Sequence, residues 1–140
     1  MPIRQTIIAE ARSWIGTPYR HRASVKGVGT DCLGLVRGVW RALYGCEPED
    51  LPAYGPDWAA VGGEATLLEA ARRHLIARKE AMPGDVLLMR WRPHGPATHL
   101  GILSTAETMI HAYDGLAVTE SPLGPAWQRR IAGVFSFPGA

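Results

Sequence analysis

The stretch GTDCLGLVRGVW, residues 29–40, predicts the beginning of a helix with Cys32 in its first turn. Asp31 is suited to cap this helix, because a carboxylate there accepts hydrogen bonds from backbone N–H groups that lack partners within the helix. A thiolate is favoured at the same place, since those N–H groups and the helix dipole supply partial positive charge. Cys32 is therefore a candidate nucleophile, and the alternative is a small core side chain of the kind that free cysteines often provide.

Apolar residues at helical spacing predict helices on both sides of this stretch as well. The first helix ends at Gly16-Thr17-Pro18, and its apolar face consists of Ile3, Ile7, Ile8, Ala11, Trp14 and Ile15. The second helix covers about residues 31–44 before Gly45, and its buried stripe consists of Leu33, Val36, Trp40, Leu43 and Tyr44. The third covers about residues 64–80; it packs through Leu67, Leu68, Ala71, Leu75 and Ile76, with a solvated basic face of Arg72, Arg73, Arg78 and Lys79.

The chain changes character after Met82-Pro83-Gly84-Asp85, where short β-rich runs follow one another. Glycine and proline turns separate five predicted strands, which are Val86–Trp91, His99–Leu103, Thr108–Tyr113, Leu116–Glu120 and Ile131–Phe137. Helices followed by strands predict an α+β fold in which N-terminal helices pack on one face of an antiparallel sheet. With 140 residues, 46% hydrophobic and 20% charged, the chain is expected to form a single domain, 1–140.

Composition narrows the possible partners and compartments. The net charge is only +2 and no dense Lys/Arg run is present, which argues against a nucleic-acid partner. No apolar run approaches the roughly 20 residues that a membrane span needs. The N-terminus lacks the long apolar core of a signal peptide, so we expect synthesis in the cytoplasm and export, if any, by another route.

The two cysteines are predicted to be free thiols. If a helix begins at Cys32 and ends near Gly45, Cys46 lies beyond its far end. Fourteen residues at about 1.5 Å each separate the two by roughly 21 Å, whereas a disulfide needs Cα atoms within about 7 Å. Cys46 has no base nearby in sequence and is expected to be inert.

Two histidines gain significance from predicted strand pairing. If the strands His99–Leu103 and Met109–Tyr113 form a hairpin, Leu103 faces Met109 and His99 faces Tyr113, so that His111 shares a face with His99. Diagonal neighbours are about 7–8 Å apart, within reach of two hydrogen-bonded imidazoles. Each histidine alone could be an ordinary strand residue, and a one-residue change of register would separate them. Together they fit a relay in which one takes the thiol proton and the other orients it.

Five short blocks in this order resemble the NlpC-type peptidases, a papain-like cysteine peptidase family that acts on bacterial peptidoglycan. The blocks are Gly16-Thr17-Pro18-Tyr19-Arg20, Thr30-Asp31-Cys32-Leu33-Gly34-Leu35-Val36, Pro83-Gly84-Asp85-Val86, His99-Leu100-Gly101-Ile102 and His111-Ala112. The resemblance extends from about Ile3 to Phe137 and implies a papain-like fold.

The same resemblance assigns roles to four residues. Cys32 would be the nucleophile, His99 the general base and acid, and His111 the polar residue that orients His99. Tyr19 would help to line the oxyanion site beside the Cys32 backbone N–H. The implied substrate is a peptidoglycan stem peptide, typically cut between γ-D-glutamyl and a diamino acid, and no cofactor or metal is implied.

The sequence departs from the family pattern at two places. Leu33-Gly34 stands where members commonly have Ser-Gly, and His21-Arg22-Ala23 replaces a glycine pair near the first substrate subsite. The leucine variant, a proline-rich insert ending at Tyr54 and the absence of a signal resemble the phage tail branch, including gene-transfer-agent relatives. That branch implies delivery on a particle, tail or baseplate partners, and local opening of the wall. The connection 46–63, with Leu51, Tyr54, Trp58 and Val61, is the candidate contact with such partners, and the alternative is that it packs back on the core of its own domain.

Two alternatives come from other functional classes. The chain could be a structural tail or baseplate component that has kept the fold and lost activity, in keeping with the altered residues after Cys32 and Tyr19. It could also be a zinc amidase with Asp31, His99 and His111 as ligands and an open position. The zinc alternative is disfavoured because the chain has no paired-His helix motif and the position of Cys32 would go unexplained.

Structural roles are expected for several other polar and aromatic residues. Asp85 in the Pro-Gly-Asp turn should bond nearby backbone. Arg20 and Arg22 could bind stem-peptide carboxylates or simply be solvated. Three tryptophans could stack on substrate, but packing in the core or an interface is the favoured interpretation; they are Trp58, Trp91 and Trp127.

Overall fold

The computed structural model describes residues 2–47, 63–92, 94–113 and 115–140. The helices in these ranges are α1 (Ile3–Arg12), α2 (Cys32–Tyr44), α3 (Gly63–His74) and α4 (Pro125–Gln128). The strands are β1 (Ser24–Val25), β2 (Gly29–Thr30), β3 (Ile76–Arg78), β4 (Val86–Arg90), β5 (Ala97–Thr105), β6 (Thr108–Tyr113), β7 (Leu116–Pro122) and β8 (Ile131–Ser136). None of the helices in these ranges is long and apolar enough to cross a membrane.

One antiparallel sheet organises the C-terminal half of the described chain. Its strand order is β3-β8-β4-β5-β6-β7, and β1 pairs with β2 in a separate small hairpin. All the neighbouring strands are antiparallel. Helices α1 and α2 precede the large sheet in the chain and pack against it, so the predicted α+β architecture is confirmed.

The two faces of the large sheet carry different apolar clusters. Side chains alternate between faces along each strand, and the face toward α1 and α2 forms the main core with Leu88, Leu100, Ile102 and Ile110. The opposite face carries a smaller cluster of Leu87, Met89, Leu103, Met109 and Leu123, against which Trp127 of α4 packs. The functional groups described below use both faces.

Helix α2 buries a wider arc than the predicted stripe. Leu35 and Val39 are fully buried, although the prediction had placed neither on the buried face, and Tyr44 is 37% exposed. The reason is that α2 packs on two sides, against the sheet and against α1. A side chain at Gly38 would place its Cβ 2.1 Å from the ring of Trp14, which follows α1, so α2 approaches the end of α1 closely there. Gly45 ends α2 in the left-handed region, at φ 88°, as predicted.

Three other predicted boundaries differ from the structure. Helix α1 ends at Arg12 and Ile15 is 46% exposed, because the chain turns at residues 13–16 to pair with Val118 through backbone hydrogen bonds. The third helix ends at His74 rather than near residue 80. Residues Ile76–Arg78 instead form strand β3, which hydrogen-bonds to β8 at the edge of the sheet. This long-range pairing overrides helical propensity, which is only a weak local preference.

Two short elements were absent from the prediction. The β1–β2 hairpin lies within the predicted loop 16–30, and α4 has only four residues, too few to show helical periodicity. Most of the predicted 46–63 connection, including Leu51, Tyr54, Trp58 and Val61, lies outside the described residues.

Asp85 joins the start of β4 to two distant elements. One carboxylate oxygen accepts hydrogen bonds from Arg4 Nη1 at 2.8 Å and from the Ser136 hydroxyl at 2.6 Å. The other accepts from the Met82 backbone N–H at 2.9 Å. The carboxylate therefore links α1, the turn before β4 and the end of β8, which confirms the predicted structural role. Arg78 also donates to Ser136, so it does not belong to a purely solvated face.

Candidate active site

Cys32 occupies the first turn of α2, and Asp31 holds that turn in place. Asp31 Oδ1 accepts a hydrogen bond from the Gly34 N–H at 2.7 Å, which confirms the predicted helix cap. Asp31 Oδ2 accepts from the Arg22 N–H at 2.7 Å and so attaches the preceding loop to the same point. Gly34 must be glycine, because a Cβ there would lie 2.0 Å from the Ala23 carbonyl oxygen. The loop, the cap and the thiol are therefore packed as one unit.

The Cys32 thiol lies against the backbone of β5 on both sides of His99. Its Sγ is 3.9 Å from the Thr98 carbonyl oxygen. The backbone N–H of Leu100 also faces the sulfur, as do the N–H groups of Leu33 and Cys32 itself at the start of α2. Cys32 and Cys46 are both free thiols, as predicted, with Cys32 partly buried and Cys46 exposed.

His99 and His111 form the predicted pair across the β5–β6 hairpin. The register places Leu103 opposite Met109 and Gly101 opposite His111, so His99 and His111 are diagonal neighbours on one face. The distance between His99 Nε2 and His111 Nδ1 is 2.9 Å, and both side chains are buried. The predicted register and contact are confirmed.

Ser121 extends this pair by one member that the sequence analysis missed. Its Oγ lies 3.0 Å from His111 Nε2. Alternation along β7 would have placed it on the histidine face, but the strand was predicted to end at Glu120, two residues before its end at Pro122. Three neighbouring strands thus present His99, His111 and Ser121 in a row.

Helix α2 and the histidine side chains lie on opposite faces of β5, and the thiol at the start of the helix reaches the β5 backbone beside His99. His99, Gly101 and Leu103 share one face of β5, and Leu103 belongs to the cluster opposite to α2. Helix α2 packs on the other face of β5. On that face Leu100, the residue after His99, belongs to the main core. Gly101 leaves room between the imidazoles and this second cluster, since a Cβ there would lie 3.0 Å from Met89 and 3.2 Å from Met109.

Two tryptophans cover the histidine pair. The Trp91 ring lies 4.2 Å from the His99 ring between centroids, and Trp127 of α4 lies 5.7 Å from both imidazoles. The two indoles also contact each other edge to face at 5.8 Å. Both tryptophans therefore pack within the site and restrict the access of water to the imidazoles.

The surroundings favour neutral forms of all three ionisable groups. Burial, together with the nearby Asp31 carboxylate, raises the pKa of the Cys32 thiol to about 12, against the opposing effect of the backbone N–H groups. Burial lowers the pKa of His99 to about 3, with a further contribution from His111, and burial lowers the pKa of His111 to about 4. At neutral pH the resting site holds a thiol and two neutral imidazoles. Any attack by sulfur must then be coupled to proton transfer.

Tyr19 lies beside the residues that lead into the cysteine helix. Its backbone forms a parallel bridge with Thr30, and its side chain packs against the main core. The loop that follows is tightly constrained: Arg22 adopts a left-handed backbone conformation at φ 68°, and a Cβ at Gly29 would lie 2.4 Å from the Arg20 side chain. The assignments of Tyr19 to the oxyanion site and of the arginines to carboxylate binding stay predictions.

The zinc ligand set considered above is not assembled. Both carboxylate oxygens of Asp31 accept hydrogen bonds from backbone N–H groups. His99 Nε2 and His111 Nδ1 are hydrogen-bonded to each other. Within the described part of the chain, no three His, Cys, Asp or Glu side chains are grouped so that they could hold a metal ion.

Comparison with known proteins agrees with this geometry. The model of the NlpC/P60 family matches residues 16–136, which include Tyr19, the cysteine helix and both histidines. The chain belongs to the NlpC/P60 family. Members of the NlpC/P60 family are endopeptidases of the cysteine peptidase class that hydrolyse peptidoglycan, and the chain is an enzyme of that class.

Two curated relatives and one solved structure are similar to the chain. The probable endopeptidase NlpC of Escherichia coli is 29% identical over 90% of this chain and 75% of its own length. The gamma-DL-glutamyl hydrolase of Bacillus subtilis is 29% identical over 94% of this chain, which spans only 29% of that protein. The NlpC/p60 domain of the peptidoglycan hydrolase SagA has the same fold, with a TM-score of 0.62, 24% identity, and coverage of 96% of this chain and 98% of that domain.

Proposed function

We propose that this chain hydrolyses an amide bond in peptidoglycan stem peptides through a thioester on Cys32. The observation that supports this most is the placement of the Cys32 thiol at the start of α2, against the backbone of β5 that carries His99. The His99 ring is in turn held by His111 at 2.9 Å. A nucleophile, a base and a group that orients the base are thus supplied by three elements.

The proposed reaction begins with proton transfer from the thiol. His99 Nε2 is engaged with His111, so Nδ1 is the nitrogen that accepts the proton while Sγ attacks the substrate carbonyl carbon. The oxyanion is stabilised by backbone N–H groups at the start of α2, with Tyr19 as a further donor. When the C–N bond breaks, protonated His99 donates to the leaving amine. A water molecule, deprotonated by His99, then attacks the thioester carbonyl and releases the carboxylic acid and the thiol.

The bond that we propose is the amide between γ-D-glutamyl and a diamino acid. The similarity to the gamma-DL-glutamyl hydrolase of Bacillus subtilis supports this choice. The basic loop before Cys32, with Arg20, His21 and Arg22, supports a substrate that carries carboxylates. The replacement of the family's glycine pair in this loop predicts a first subsite that differs in shape from that of most members.

We also propose that the enzyme acts while carried on a phage-tail-like particle, with tail or baseplate proteins as partners. The support is the Leu33 variant after the cysteine and the proline-rich insert ending at Tyr54, both of which resemble the phage tail branch. The enzyme would then open the wall locally, in the periplasm. Mass spectrometry of purified particles should detect the chain, and particles without it would contradict this delivery while leaving the peptidase assignment intact.

The first prediction concerns the nucleophile. Cys32→Ala should abolish cleavage of defined muropeptides, measured by mass spectrometry, because it removes the sulfur that forms the proposed thioester. The matched control is Cys46→Ala, which should keep near-normal turnover since Cys46 is exposed and follows the opposite end of α2 from Cys32. Circular dichroism should show both variants folded. Unchanged cleavage by a folded Cys32→Ala variant would contradict the proposed mechanism.

A structural tail component of the same fold is the second candidate function. The observation that favours it is the cover over the base: His99 is only 1% exposed, with Trp91 stacked on its ring. The same muropeptide assay separates the two functions. Wild-type protein that leaves every muropeptide intact while it is incorporated into particles would favour the structural role.

A further inference from the structure

We propose that Ser121 is a positioning residue of this site, which selects the tautomer of His111 and thereby keeps His99 competent as a base. The proposal rests on the proposed function, because it concerns the proton relay of that reaction. Ser121 lies on β7, two strands away from His99 in the sheet.

The strand register places the Ser121 hydroxyl at the outer end of the histidine pair. Ser121 is opposite Met109 and Thr119 is opposite His111, so Ser121 is the diagonal neighbour of His111 on their shared face. The hydroxyl oxygen is 3.0 Å from His111 Nε2, while His111 Nδ1 is 2.9 Å from His99 Nε2. Both ring nitrogens of His111 therefore participate in hydrogen bonds within one row of groups.

The required proton positions follow from the task of His99. To accept the thiol proton, neutral His99 must have an unprotonated Nδ1 and must carry its hydrogen on Nε2. That Nε2–H then donates to His111, whose Nδ1 must be an unprotonated acceptor. Neutral His111 consequently carries its hydrogen on Nε2, facing Ser121. A serine hydroxyl accepts as readily as it donates, so Ser121 stabilises this arrangement as the acceptor.

The opposite tautomer would disable the base. If His111 carried its hydrogen on Nδ1, it would donate to His99 Nε2 and force the His99 hydrogen onto Nδ1, where the thiol proton must arrive. Removal of the Ser121 hydroxyl takes away the acceptor that favours the productive form. His111 is 1% exposed and is covered by Trp127, so bulk water cannot easily replace that acceptor.

The test combines tautomer assignment with steady-state kinetics. In wild-type protein labelled with nitrogen-15, NMR at neutral pH should report His111 as the Nε2–H tautomer. Ser121→Ala should shift His111 toward the Nδ1–H form and lower kcat on a muropeptide substrate by about tenfold or more, with KM nearly unchanged. Ser121→Thr, which keeps the hydroxyl, should restore both the tautomer and most of kcat.

The matched control is Thr119→Val, which removes a hydroxyl from the same strand directly opposite His111. It should leave the tautomer and kcat near their wild-type values. An Nδ1–H tautomer of His111 in the wild-type protein would overturn the proposal, as would unchanged kcat in a folded Ser121→Ala variant. Absence of peptidase activity would refute the proposed function, whereas the His111 tautomer in wild-type and Ser121→Ala protein, which is read without substrate, would still support or overturn this inference.

Discussion

At the scale of the residue, the site is built from polar groups that the protein keeps neutral. The Cys32 thiol has a pKa raised to about 12, and His99 has a pKa lowered to about 3. These shifts favour the thiol and the neutral imidazole over the thiolate and the imidazolium in the resting protein. Catalysis then depends on how well each hydrogen is placed, which makes the orientation of His99 by His111 more important than in a preformed ion pair.

The relay predicts unequal effects of its two histidines. His99→Ala removes the base and should lower kcat by a hundredfold or more, on the order of the usual contribution of general acid–base catalysis. His111→Asn should lower kcat less, because an amide oxygen can still accept the His99 Nε2–H. The rate of muropeptide cleavage by each variant measures the two effects. Rates in the reverse order would mean that the roles of the two residues are exchanged.

At the scale of the element, Asp31 at the start of α2 has two opposing effects, one on the stability of the helix and one on the ionisation of the Cys32 thiol. The Asp31 carboxylate caps the helix and fastens the loop through Arg22. The same negative charge raises the pKa of the adjacent Cys32 thiol and so disfavours the thiolate. The cap thus stabilises the helix that carries the nucleophile while it keeps that nucleophile protonated at rest.

Variants at Asp31 should separate these two functions. Asp31→Asn removes the charge and keeps one acceptor, so the rate of Cys32 alkylation by iodoacetamide should reach its half-maximum at lower pH than in the wild type. Asp31→Ala removes both acceptors and should lower the free energy of unfolding by about 1–2 kcal/mol, more than Asn does. Cys46→Ala as the background restricts alkylation to Cys32. An unchanged alkylation profile in Asp31→Asn would contradict the electrostatic argument.

At the scale of the whole molecule, burial of the histidine pair couples the site to the stability of the fold. Burial holds the pKa of His99 at about 3 and of His111 at about 4, below the ordinary value of 6.5 that both regain on unfolding. Below pH 6.5 the unfolded chain therefore binds more protons than the folded protein. Acidification favours the unfolded state.

We accordingly expect the free energy of unfolding to fall as the pH decreases from about 6.5 toward 4, by up to about 1.4 kcal/mol per pH unit for each imidazole. Urea denaturation at several pH values measures the slope. Between about pH 6.5 and 5 the histidines should dominate, because carboxylates titrate mainly below that range. His111→Asn, which removes one imidazole, should give a shallower slope, and an equal slope would contradict the assignment.

The sequence by itself determined the features that depend on neighbours in the chain. The helix start at Cys32, its Asp31 cap and the glycine stop at Gly45 follow from local hydrogen bonding, and the register of β5 with β6 follows once the two strands are paired as a hairpin. The order of the motifs also identified the family. These predictions were accurate because each uses contacts between residues close in sequence or across one hairpin.

Only the tertiary structure decided which distant elements meet. The exposed side chains of Ile76–Arg78 gave no sign of strand β3, which forms because β8 offers an unpaired edge. Likewise, the sequence could not reveal that Ser121 completes the row of His99 and His111, or that Trp127 covers them. The physical reason is that these contacts depend on the packing of the whole sheet and both its faces, which no local pattern encodes.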